Sequence, residues 1–281
     1  MRQLLSGEKI DFPLSTKVSL RFYADSQPHF LQTTNIQKGG VFVFREKELV
    51  EEGIGIGAPV CLYRDGARFS LRATAYVDES NQLVVKVFSM NAIESKRFRH
   101  FIVRQGSFAS HFLRILEKAY QGSRRLHDKA TMMLGLVSIM GLRNEYIESD
   151  SMGEISVSYA PSLAGLRVNV DFRSLVTDGL QAIIIGNEAG GRLFTEYNDS
   201  SGGRLKGREI EPWRSIPVEW ASLRSPKFGV GFRLHKPDGW LMVRGREVVD
   251  KRVSWSGLNL VYNGIPTSRT LEYTIETLGD A

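Results

Sequence analysis

The sequence is short of the features that most often betray a function. It holds one cysteine, Cys61, so no internal disulfide can form, and a lone thiol fits a reducing compartment. Nothing near Cys61 marks it as a nucleophile or ligand, and it reads as a small apolar strand residue. The five histidines, His29, His100, His111, His127 and His235, lack the close helical spacing that gathers a metal ion. No nucleophile elbow, phosphate loop or zinc-knuckle pattern occurs. Gly53-Ile-Gly-Ile-Gly57 has its third glycine one residue too early for a dinucleotide loop, and no helical pattern follows it. Carboxylates such as Glu209, Glu211 and Glu219 show no spacing that would define a glycosidase pair. No apolar run approaches the roughly 18 residues a membrane helix needs, and the opening MRQLLSGEKIDF turns polar too soon for a secretory leader. These absences predict a cytoplasmic protein with no metal and no cofactor that is not an enzyme.

What is present is a folded chain of ordinary composition, 42% hydrophobic and 24% charged, long enough for more than one core. The formal charge of +6 is concentrated. Lys+Arg against Asp+Glu is 11 to 10 over residues 1–90, 10 to 6 over 91–150 and 16 to 15 over 151–281. So mild an excess argues against a dedicated nucleic-acid binder. Its place on the chain makes Arg97, Arg104, Arg124 and Arg125 candidates for contacting an acidic protein partner or an anionic surface, against the plainer reading of a solvated basic face.

Hydrophobic period divides the chain in three. Over 1–91, Val18, Leu20 and Phe22 alternate with polar neighbours, Val41 to Phe44 form an apolar run, and Asp65-Gly66 supplies a hairpin turn, predicting a small antiparallel barrel. Over 92–150 the spacing of Phe98, Phe101, Ile102, Phe108, Phe112 and Leu116 becomes helical, and a second stripe after Gly122-Ser123 completes an αα-hairpin covering about 94–142. Over 151–281 the alternation returns at Leu166 to Phe172, Phe228 to Leu234 and Leu271 to Ile275. Turns at Asn198–Gly203, Pro237–Gly239 and Asn263-Gly264 separate these runs, predicting an antiparallel β-sandwich. The expected fold is mainly β with a helical segment.

The stretch from Phe22 to Phe44 resembles the PilZ domain family. Asn35-x-Gln37-x-x-Gly40 stands where that family carries Asp/Asn-x-Ser-x-x-Gly, an apolar strand follows, and Gly57 precedes the next strand. The resemblance covers about residues 10–90 and implies a six-stranded barrel that binds cyclic di-GMP in bacterial signalling. The nucleotide site it implies comprises Asn35, Gln37 and Gly40, with Lys9 as a nearby cation. The family's arginine pair, which would stack on guanine and grip phosphate, is replaced by Gly7 and Asp11, and Gln37 replaces the motif serine. The resemblance therefore implies a regulatory or adaptor protein acting by protein interaction, with cyclic di-GMP binding weak or lost.

An alternative rests on the C-terminal third, where Trp213, Trp220, Trp240 and Trp255 fall among strands. Aromatic platforms stack on sugar faces or bases, so a groove lined by these residues would hold a carbohydrate or nucleotide. Tryptophan as core filling is the plainer reading.

Overall fold

The computed structural model of the protein describes residues 1–14, 18–28, 35–44, 47–48, 53–98, 101–103, 115, 129, 133, 141–163, 165–248 and 254–279. Among these, every strand pairing is antiparallel. A ten-stranded sheet runs, in spatial order, through Arg2–Gln3, Arg72–Val77, Val84–Ser89, Glu154–Ser162, Gly165–Asp171, Thr270–Leu278, Val230–His235, Trp220–Ser225, Glu196–Asp199 and Arg204–Lys206. A six-stranded sheet runs through Arg214–Ile216, Leu241–Val248, Ser254–Asn263, Leu180–Gly190, Ile56–Tyr63 and Gly66–Arg68.

The two sheets bury their facing sides in one core. Val157, Tyr159, Val168, Val170 and Phe232 of the larger sheet meet Ile183, Ile185, Leu258 and Leu260 of the smaller. Two tyrosines reach across it and satisfy their buried hydroxyls on the opposite sheet. Tyr159 donates to the carbonyl of Ile56 at 3.0 Å, and Tyr273 donates to Asn187 Oδ1 at 2.9 Å. Gly57 permits the first of these contacts. Its φ of +79° lies in the left-handed region, and a Cβ there would sit 2.6 Å from the Tyr159 hydroxyl.

Smaller sheets complete the fold. Lys9–Pro13, Val18–Tyr23, Val41–Phe44 and Lys47–Glu48 form a four-stranded layer whose apolar side joins the same core, Phe22 lying 4.5 Å from Tyr159 between ring centroids. Ala92–Phe98 pairs with both Phe101–Val103 and Leu142–Glu148 in a three-stranded sheet.

Two expectations about the fold are corrected. Among the described residues, the first ninety form no closed barrel. Their strands are shared out, Ile56–Tyr63 pairing with Leu180–Gly190 and Val84–Ser89 with Glu154–Ser162, so strands of residues 1–91 and 151–281 build the same two sheets. Tertiary pairing overrides the local pattern. The central helical hairpin is also corrected, at both ends of its expected span. Strand replaces helix at Ala92–Phe98, Phe101–Val103 and Leu142–Glu148. Phe98 and Phe101, three apart as on a helix face, are cross-strand partners instead, an ambiguity inherent in short apolar runs. Of the rest of the expected helical stretch, Ile115, Lys129 and Met133 are described and helical, and the remainder, Phe108 and Phe112 included, lies outside the described residues. The expected C-terminal strands are present as Gly165–Asp171, Val230–His235 and Thr270–Leu278, with Phe228 in the turn before the second and Phe172 just past the first, and the three turns are present too.

Candidate ligand face on the six-stranded sheet

The side of the six-stranded sheet turned away from the shared core carries an unusual set of residues. Along Leu180–Gly190, Ile183, Ile185 and Asn187 face the core, so Glu188 faces outward. Glu188 stands opposite Gly257, and Gly257 stands opposite Gly245 on Leu241–Val248. This glycine pair leaves a bare strip of backbone, which the indole of Trp213 covers. A Cβ at Gly245 would lie 2.2 Å from Trp213 Cδ2, and one at Gly257 would lie 3.1 Å from Trp213 Cη2 and 2.8 Å from Glu188 Cγ. The ring therefore rests flat across both glycines with its end beside Glu188, and it remains half-buried.

Glu188 is only 7% exposed and Asn259 8%. Glu188 Oε2 accepts from the Ile54 amide at 3.0 Å and Oε1 from Asn259 Nδ2 at 3.1 Å. Asn259 Oδ1 in turn accepts from the Asn187 amide at 2.9 Å, where a register shift would otherwise orphan it. Burial raises the Glu188 carboxyl above its ordinary range, while the Ile54 and Asn259 donors and the charge of Lys38 pull the other way. Glu247 shares the outward side of its strand with Gly245, two residues away.

Next to this row, a cavity of about 140 Å³ opens over the strand Ile56–Tyr63. Ile54, Val60, Phe69, Gln37, Glu94 and Tyr146 line it. Glu94 and Tyr146 are cross-strand partners in the three-stranded sheet. Phe69 meets the Tyr146 ring edge-on. Burial and the neighbouring carboxylates Glu94 and Glu188 keep the Tyr146 phenol protonated.

The residues of the expected nucleotide site are not gathered. Asn35 is exposed on the two-residue strand Asn35–Ile36, and Lys9 is exposed on a strand of the four-stranded sheet. Gly40 is locked to Ile56 by a β-bridge, and a Cβ there would meet Leu20 and Phe22 at 3.1 Å. Gln37 alone of the four lines the cavity. With neither the barrel nor a shared pocket, the PilZ and cyclic di-GMP signalling assignment is withdrawn. Asp11, in one of the positions where the family motif carries an arginine, receives two bonds from Arg21, at 2.7 and 2.8 Å. Of the four partner-facing arginines, Arg97 is exposed and paired with Glu145 at 3.0 Å. Arg104, Arg124 and Arg125 lie outside the described residues.

The tryptophans divide evenly. Trp240 and Trp255 are each 7% exposed and fill space, Trp240 against Tyr262. Trp220 is half-buried, but the Arg233 guanidinium lies 4.3 Å from its ring centroid and covers it. Glu188 and Asn259 escaped the sequence reading, although both are polar residues inside apolar runs, Ile183-Ile-Ile-Gly-Asn-Glu188 and Leu258-Asn-Leu-Val261. A group of side chains able to hold a metal ion is absent among the described residues, and so is a helix long and apolar enough to cross a membrane.

No known protein family matches the sequence, and no curated protein does. Among solved structures, the chain is similar to a galactose mutarotase-like protein from Lactobacillus casei ATCC 334. Identity is 9%, the match covers 96% of this chain and 100% of that one, and the TM-score is 0.45. It is also similar to HI1317 at 10% identity, with 96% and 99% coverage and a TM-score of 0.40.

Proposed function

We propose that the protein binds carbohydrate on the outer side of its six-stranded sheet, a pyranose ring stacking its C–H face on Trp213. The observation that carries this reading is the half-buried indole held flat by Gly245 and Gly257 beside the Glu188–Asn259 pair. A rigid aromatic plane offers a sugar's apolar face large contact at little entropic cost, and adjacent polar groups fix its hydroxyls. The reading is of binding, and no reaction is assigned to it.

A glycan array followed by calorimetry with the best monosaccharide or oligosaccharide tests it. The expected result is saturable binding that Trp213→Ala weakens at least about tenfold, the equivalent of 1.4 kcal/mol, with Trp220→Ala as the unaffected control. Absence of binding to every glycan, or a loss on Trp220→Ala instead, would remove Trp213 from the role.

A further inference from the structure

We infer that the cavity over Ile56–Tyr63 is a binding site in its own right, for a single neutral aromatic ring bearing one hydroxyl or N–H donor. Three observations converge. The walls contributed by Ile54, Val60 and Phe69 are apolar, and the volume of about 140 Å³ suits one six-membered ring. An apolar cavity of about 150 Å³ is known to hold benzene. The second observation is Gln37, which is 7% exposed and whose Oε1 is buried without a hydrogen-bond partner. A buried amide oxygen left unpaired costs roughly 1–3 kcal/mol, and the cavity it lines is where a donor could reach it. Third, the Tyr146 hydroxyl on the same wall stays protonated, so this end of the cavity offers a neutral donor as well as an acceptor.

The chemistry follows from this inventory. A sugar would find partners for a few hydroxyls on Gln37, Glu94 and Tyr146 but would set the rest against Ile54, Val60 and Phe69, so a single ring with one donor fits this cavity better. A hydrocarbon would fill the volume but leave Gln37 Oε1 as it is. A phenol satisfies both requirements, with its ring among the apolar walls and its O–H donating to Gln37. The site is independent of the reading of Trp213, which is not among the residues that line the cavity.

Calorimetry of the full chain with phenol, and with toluene as the ring that cannot donate, is the test. Phenol is expected to bind saturably and about five- to tenfold more tightly than toluene, the worth of one neutral hydrogen bond. Gln37→Leu should abolish that preference while toluene binding persists or improves. Ala67→Leu, which adds volume to the cavity wall from a different strand, should weaken both ligands. Because the two variants act by different routes, a folding failure of one leaves the other decisive. Wild-type protein that shows no saturable binding of phenol would overturn the proposal. An equal affinity for both rings that neither variant changes would do the same.

Discussion

The two sheets share one core but are built on different terms. In the ten-stranded sheet, strands such as Val84–Ser89 and Glu154–Ser162 alternate buried and half-buried positions along their length, one side in the core and the other wetter. In the six-stranded sheet, Leu180–Gly190 and Ser254–Asn263 have long stretches buried on both sides. A strand covered on both faces has no solvent side on which to keep polar groups, so the ones it retains must be paired. Glu188, Asn187 and Asn259 are such groups, and each is held by named partners. The difference locates the candidate face, because the larger sheet uses alternation to make a core while the smaller uses its second side for polar chemistry.

The sharpest way to break this comparison is to truncate one aromatic from each setting. Phe232, fully buried in the shared core, has ring centroids 5.4 Å from Phe42 and 5.9 Å from Phe194. Phe232→Ala should cost about 3–5 kcal/mol in denaturant unfolding. Trp213→Ala removes a half-buried ring from the outer side and should cost about 1–2 kcal/mol. Equal losses would show that the indole is structural and the distinction between the two sides empty.

The same contrast explains what could be read from the sequence. Strands with one wet side announce themselves by period two, and 166–172, 228–234 and 271–275 were legible for that reason. Ile183-Ile-Ile-Gly-Asn-Glu188 has no such period, and its pairing with Cys61 and Tyr262 joins residues far apart in the chain. The hairpin after Tyr63 was foreseen from Asp65-Gly66, yet Tyr63 pairs with Gly66, so the turn sits on Arg64-Asp65. The platform residue Trp213 was named among four tryptophans, but only the glycines beneath it and the Arg233 over Trp220 separate it from the others. Spacing along one chain does not carry that information.

Lys86 in the larger sheet and Glu188 in the smaller are both buried ionisable groups, and the two should respond to pH in opposite senses. Lys86 lies on the core side of Val84–Ser89, 1% exposed, and its Nζ donates to the carbonyls of Tyr23 at 3.1 Å and Lys38 at 2.8 Å. It thereby ties the N-terminal segment to the larger sheet. Desolvation lowers it from 10.5 to about 7, the charge of Asp25 opposing. Between about pH 7 and 10.5 the unfolded chain therefore holds a proton the folded protein has released, and stability rises with pH across that window. Lys86→Met should remove this rise when unfolding is measured by urea at several pH values. An unchanged slope would mean that Lys86 stays charged in the fold.

Glu188 supplies the counterpart in the smaller sheet, with a smaller expected effect because its three favourable partners offset part of the desolvation. Its folded pKa is raised above the ordinary 4.5, so the folded state holds the proton more tightly than the unfolded chain. The stability this contributes is fully present below pH 4.5 and is lost as pH rises through the raised value, a slope opposite to that of Lys86. Glu188→Gln should abolish the slope. The substitution also carries a constant cost of roughly 1 kcal/mol, because a glutamine oxygen can accept from only one of the two donors. If that oxygen keeps the Ile54 amide, the new NH₂ faces Asn259 Nδ2, and Asn259 cannot turn over without abandoning the Asn187 amide. The offset and the slope are therefore separable in one experiment, urea unfolding of both proteins from pH 4 to 8. A variant that differs from wild type by a constant alone would show that the Glu188 carboxyl titrates alike in the folded and unfolded chain.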